Sequence, residues 1–125
     1  MGRIRKNIKV ENRNCWALFD TGARNTCVTE EVAQLLVTQQ LPESIPTSLG
    51  GKTYRVDKTC LLMAYVEGKF VDTIAHVVSE IGEDEDGKAL EGLFGTLVMQ
   101  NWGIRLVPEE EKLDMSHYPK EFVEF

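Results

Sequence analysis

The sequence has no apolar run near the ~18–20 residues that a membrane-crossing helix needs, so no membrane partner is implied. Basic residues are the minority. Lys and Arg number 14 against 20 Asp and Glu, a net charge of −6. Nonspecific nucleic-acid binding draws its affinity from basic surface laid on phosphates, so that class is disfavoured too. Cysteine is scarce: Cys15, Cys27 and Cys60 cannot all pair, and none forms a Cys-x-x-Cys. This predicts free thiols in a reducing, cytoplasmic compartment. The histidines, His76 and His117, share no metal-type spacing, so no metal or other cofactor is implied. A phosphate loop is missing as well. Gly50-Gly51-Lys52-Thr53 lacks the upstream glycine that such a loop requires, and Pro46 stands in its place. The basic opening, Met1 to Asn7, is not followed by an apolar stretch, which predicts no secretory leader.

What is present is an ordinary globular mixture, 42% hydrophobic and 27% charged over 125 residues. There is no internal repeat and no linker-like shift in composition, so residues 1–125 are read as one domain. Ile8-Lys9-Val10 alternates, Glu11 to Asn14 is turn-forming, and Cys15 to Phe19 is wholly apolar. This predicts a β-hairpin whose second strand is buried on both faces. Thr26-Cys27-Val28 reads as a brief strand. Thr29 reads as an N-cap for a helix over 30–37, with Glu30 and Glu31 in its first turn. Pro42 and Pro46 predict an irregular stretch. Gly50-Gly51 suits a flexible hairpin tip. Two long strands are expected over 53–66 and 69–79, then an acidic loop from Gly82 to Lys88. Leu93-Phe94-Gly95 reads as a buried strand end, and Thr96 to Trp102 as a short helix stopped by Gly103. Ile104 to Val107 returns to strand. The sum is a mostly-β domain.

Asp20 is the informative position. It follows five apolar residues, and charged groups are rarely buried without partners. Thr21 supplies a hydroxyl, and Gly22 permits close backbone approach. On Asp20-Thr21-Gly22-Ala23 alone, an Asp that merely starts a turn is the stronger reading. The wider pattern reverses that preference. An apolar-apolar-Asp-Thr-Gly-Ala element, a glycine-bearing hairpin, and a later Leu93-Phe94-Gly95 before a short helix and Trp102-Gly103-Ile104 together resemble the retropepsin family of aspartic proteases. The likeness runs over about 8–107, with a tail over 108–125, and is nearer to cellular or prokaryotic members than to viral ones.

That resemblance implies a closed β-barrel-like acid-protease fold with one or two short helices, and peptide or protein substrates. It implies Asp20 as the catalytic carboxylate, with Thr21, Gly22 and Ala23 completing the loop. Thr21 would bond across a dimer axis. Leu49, Gly50, Gly51 and Lys52 would form a flap that closes over the peptide. Leu93, Phe94 and Gly95 would support the loop from beneath. Aspartic proteolysis needs two carboxylates sharing one proton, a pairing for which aspartic proteases are the standard worked case. The chain offers one Asp-Thr-Gly, and Asp72-Thr73-Ile74 lacks the glycine. The partner carboxylate is therefore expected from a second copy in a C2 homodimer. An Asp20 locked in an intramolecular ion pair would contradict this. The alternative is the same fold as a dimerisation or peptide-binding module with little turnover.

Other features carry less. A calcium reading of Glu83 to Asp86 fails for want of ligands at Gly82 and Leu93, although the loop is expected to rim the cleft and favour basic peptides through Asp84 and Asp86. Cys27 has no nearby base and reads as core. The alternation Phe122-Val123-Glu124-Phe125 suits a strand at a dimer interface.

Overall fold

The computed structural model describes residues 2–125. Its strands are β1 (Arg3–Val10), β2 (Arg13–Asp20), β3 (Cys27–Thr29), β4 (Thr38–Leu49), β5 (Lys52–Val66), β6 (Lys69–Val78), β7 (Gly92–Phe94), β8 (Arg105–Val107) and β9 (Lys112–Asp114). The helices are α1 (Glu30–Ala33) and α2 (Thr96–Trp102), with a 3-10 turn over Pro108–Glu110. Seven strands form one sheet in the order β1-β2-β7-β3-β6-β5-β4, and β1 also pairs with β5 at Lys9 and Tyr65. That extra pairing curls the sheet into a ring, the mostly-β barrel-like architecture expected.

Three tight turns set the registers. Glu11 and Asn12 have φ of 49° and 65°, and Gly50 and Gly51 have 56° and 81°. Glu67 and Gly68 are likewise left-handed. Two-residue turns with both φ positive match the twist of antiparallel strands and fix their pairing. The first turn thereby sets Arg3 opposite Asp20, and Ile8 opposite Cys15. The second sets Leu49 opposite Lys52.

The ring closes over an apolar interior. Phe19 and Phe94 are fully buried, with ring centroids 4.6 Å apart. α2 contributes Val98, Met99 and Trp102 to the same core. Gly103 ends α2 with φ of 68°, as its position after the last apolar residue implies. Among the described residues, no helix is long and apolar enough to cross a membrane.

Several expectations need correction. The helix expected over 30–37 stops at Ala33. Thr29 sits at the cap position but makes no side-chain cap bond, and its buried hydroxyl has no partner among the described residues. With one turn and no cap bond, little holds the helix, and the chain leaves it to pair at Val37, whose carbonyl accepts from Leu61 N–H at 2.9 Å. The stretch around Pro42 and Pro46 is extended, not irregular, and lies within β4. β4 ends the sheet order, where proline is tolerated, and a register shift between Gln40 and Ile45 absorbs Pro42. Residues 122–125 form no strand. Phe122 instead packs edge-on to Trp102 at 5.2 Å, and Tyr118 stacks on the same indole at 5.7 Å. The Tyr118 hydroxyl donates to the Phe70 carbonyl. Packing on Trp102 ties Tyr118 and Phe122 to their own chain, while Val123 and Phe125 stay exposed.

Candidate active site

Asp20 ends β2 and is 6% exposed. Its Oδ1 accepts from the Gly22 N–H at 2.8 Å. Its Oδ2 lies 3.2 Å from Nε of Arg3. The Ala23 N–H turns back to the Asp20 carbonyl at 3.1 Å. A charged-state hydrogen bond from a backbone N–H fixes the carboxylate without closing it off. The side chain of Asp20 thus faces a cleft while its strand stays in the core.

Beneath the loop, β7 runs between β2 and β3. It is parallel to β2, with Leu18 opposite Leu93 and Phe19 opposite Phe94, and antiparallel to β3, with Cys27 opposite Leu93. The loop from Asp20 to Thr26 is then tied to the start of α2. Thr96 N–H donates to the Ala23 carbonyl at 2.8 Å and Leu97 N–H to the Arg24 carbonyl at 3.2 Å. Gly95 N–H donates to Oγ1 of Thr26 at 3.3 Å. A Cβ on Gly95 would lie 2.5 Å from the carbonyl carbon and oxygen of Arg24 and from the Asn25 oxygen. Glycine is required here by contact, since only a residue without a side chain lets the two backbones approach so closely.

The structure therefore brings together Asp20, Gly22, Ala23 and Leu93 in one cleft of about 580 Å³, roofed by Leu49 and Gly50. Phe94 and Gly95 stand behind the loop. Lys52 lies outside this cleft and faces the adjoining one of about 920 Å³, which Leu49 and Gly50 also border. Gly51 forms the hairpin tip with Gly50 and borders neither. Thr21 is exposed, and its hydroxyl accepts from the Gly2 N–H at 2.8 Å, while its own N–H donates to the Gly2 carbonyl at 3.0 Å.

Arg3 and Gly2 were not anticipated. The signal for Arg3 was the hairpin register: a two-residue turn at Glu11-Asn12 obliges Arg3 to face Asp20, whereas a four-residue turn over 11–14 leaves the pairing undefined. An Arg3–Asp20 ion pair is the kind of contact that speaks against a catalytic Asp20. Its quality decides how far it weighs. The Arg3 side chain is 62% exposed, and ion pairs with a solvated partner contribute about 0–1 kcal/mol and weaken with salt. Asp20 is held, but by a contact that opens easily.

The acidic loop does rim the cleft, through Glu83, Asp84 and Glu85. Asp84 is, however, a structural staple. Its Oδ1 accepts from the N–H groups of Asp86 and Lys88, each at 2.9 Å, and its Oδ2 from the indole N–H of Trp16 at 2.8 Å. The Lys88 ammonium sits 4.1 Å above the Trp16 ring. Glu85 is paired with Arg5 at 2.6 Å. Reversing Asp84 would thus disassemble the loop before it reported on any peptide. The Lys88 backbone N–H, with the Trp16 indole N–H and the Asp86 backbone N–H, holds the Asp84 carboxyl below its ordinary value of 3.8. A depressed folded-state pKa gives stability that is present above the unfolded value and lost as pH falls through the folded one. Asp84→Asn is therefore expected to lower loop protection at pH 7, with the gap between the two chains narrowing as pH falls below the ordinary value of 3.8, as read by hydrogen exchange at Lys88 and Asp86. Equal protection of the two chains at pH 7 would refute the staple.

The thiols are core groups. Burial pushes Cys27 and Cys60 up to about 11. Burial also raises Cys15, against the opposing pull of Arg13. None has the thiolate character of a nucleophile.

No protein-family model matches the sequence, and no curated protein sequence matches it significantly. Solved structures do match in shape. The retroviral protease-like domain of Ddi1 from Leishmania major superposes with a TM-score of 0.64 at 12% identity, over 93% of this chain and 90% of that one. The protease of EIAV, solved with an inhibitor, gives 0.54 at 18% identity, over 84% and 92%. The foamy viral protease-reverse transcriptase gives 0.57 at 12% identity; 84% of this chain matches only 12% of that longer protein. The fold of this chain is that of retroviral protease-like domains.

Proposed function

We propose that the chain is an aspartic endopeptidase, that residues 1–125 form one retropepsin-like domain, and that Asp20 becomes competent in a symmetric homodimer. The observation that carries this is the Asp20 carboxylate itself. It is buried at a strand end, oriented by the Gly22 N–H, and opens into a cleft under a two-glycine hairpin. Burial of a carboxylate at the mouth of a cleft serves a site better than it serves a turn.

Two Asp20 side chains meeting at a two-fold axis cannot both carry their charge, so the pair holds one shared proton. The ionised member takes a proton from a water, whose oxygen attacks the peptide carbonyl carbon. The protonated member gives its proton to the carbonyl oxygen. In the second half of the reaction the carboxyl that took the water's proton gives it to the nitrogen, the other carboxylate takes a proton back from a hydroxyl of the tetrahedral diol, the C–N bond breaks, and a carboxylic acid and an amine leave. Leu49 and Gly50 would close over the peptide, exclude water and present backbone groups to it. Thr21 would join the two loops across the axis, and no metal or organic cofactor is called for. Buried free thiols fit a reducing, cytoplasmic setting.

A second reading, a dimerisation or peptide-binding module with little turnover, is favoured by one observation, the Arg3 contact to Asp20. The two readings separate on a random peptide library assayed across pH. The enzyme cuts it, with a rate that rises as the square of chain concentration where dimer is scarce. A statine-type transition-state analogue also raises the Tm of the enzyme. A chain that binds peptides and never cuts them is the module.

A further inference from the structure

The N-terminal arm occupies both side chains that the proposed dimer needs. Arg3 Nε contacts Asp20 Oδ2 at 3.2 Å, and Gly2 N–H donates to the Thr21 hydroxyl at 2.8 Å. The arm is not a loose end. Arg3 is the first residue of β1 and stands in register with Asp20. The Gly2 carbonyl accepts from Thr21 N–H at 3.0 Å. On its other side Gly2 is wedged against Pro108, where a Cβ would come within 3.1 Å of Cγ. Two neighbouring residues, delivered by one strand and seated between the Asp20 loop and the segment after β8, thus cap the half-site of the single chain.

From this placement we infer that the Gly2-Arg3 arm is an intramolecular cap that competes with the second copy of the chain for Asp20 and Thr21. The inference rests on the homodimer reading above. In the lone chain, Arg3 adds a charged partner to a carboxylate that the Gly22 N–H alone would otherwise hold at the cleft, a contact worth about 0–1 kcal/mol because Arg3 is solvated. In the dimer, the mate's carboxylate shares a proton with Asp20, and the compensation that Arg3 gave is no longer needed. Thr21 likewise exchanges Gly2 for its symmetry mate. The cap lowers the free energy of the separate chains, so it raises the concentration at which they assemble. A protein held this way stays latent when dilute and becomes active when concentrated. Because Arg3 is largely solvated, salt screens and weakens its contact with Asp20.

The experiment compares the wild type with Arg3→Gln, which ends in an amide at about the place of Nε, the contacting atom, and removes the charge. Sedimentation equilibrium gives the dimer constant of each at low and high salt, and peptide cleavage is read on the same samples. The expected result is a dimer about three- to twentyfold tighter for Arg3→Gln, since each of two protomers loses a contact worth up to about fivefold. Salt should tighten the wild-type dimer more than the variant's. A variant dimer equal to or weaker than the wild type's, with cleavage intact, overturns the cap alone. A tighter variant dimer that never cleaves supports the cap and overturns the peptidase. No dimer of either chain at any concentration overturns both.

Discussion

Asp20→Asn is expected to lower peptide hydrolysis by at least about 10²–10⁴-fold, the range attributed to positioned acid–base groups, while the chain still folds. Asparagine keeps the shape and still accepts the Gly22 N–H at Oδ1. It takes no proton from water and shares none with its mate. The loss should fall on kcat, with peptide binding retained, because the interaction removed is realised only in the transition state. Exchange of a charged for a neutral group also ends the Arg3 ion pair, a stability change of about 0–1 kcal/mol that a melting curve will separate from the catalytic effect. Wild-type rates in the Asn variant would reassign Asp20 as a turn residue.

Gly95→Ala carries the largest expected structural effect. A methyl group there collides with backbone atoms of Arg24 and Asn25 at 2.5 Å, and no side-chain rotation relieves it. Either β7 withdraws from the loop or the loop moves, and both break the hydrogen bonds from Thr96 and Leu97 to Ala23 and Arg24. Overpacking of this kind costs about 1–3 kcal/mol, a Tm lower by about 5–15 °C. The Asp20 loop is displaced in the same event, so activity should fall further than stability. A variant with wild-type Tm and rate would show that the two backbones are not in the contact described.

The parts of this arrangement legible in the sequence share one property: the residue type has few other uses. A carboxylate after five apolar residues, paired glycines between extended flanks, and a glycine after Leu93-Phe94 each meet a local demand, of burial, of positive φ or of close approach. Gly50, Gly51 and Gly103 occupy the left-handed conformations their positions require. What escaped reading depends on partners distant in sequence. Pro42 and Pro46 break a helix or an inner strand wherever they occur, but β4 is an edge, which only the sheet order reveals. Val32, Leu35 and Leu36 have helical spacing, yet pairing near Val37 draws the chain out of α1. Phe122-Val123-Glu124-Phe125 has the residue types of a strand, and Trp102 takes Phe122 instead. Arg3 looked like one of several basic residues until the turn at Glu11 and Asn12 fixed which of them meets Asp20.

Wild-type and Asp20→Asn chains, mixed at fixed total concentration high enough to saturate the dimer, test the central claim most directly. If two Asp20 carboxylates make one active site, only homodimers of the wild type turn over, and an equal mixture retains about a quarter of the undiluted activity, as random pairing in a symmetric dimer requires. Activity that falls in proportion to the wild-type fraction, leaving half in the equal mixture, would mean that one chain suffices and that the shared dyad does not exist.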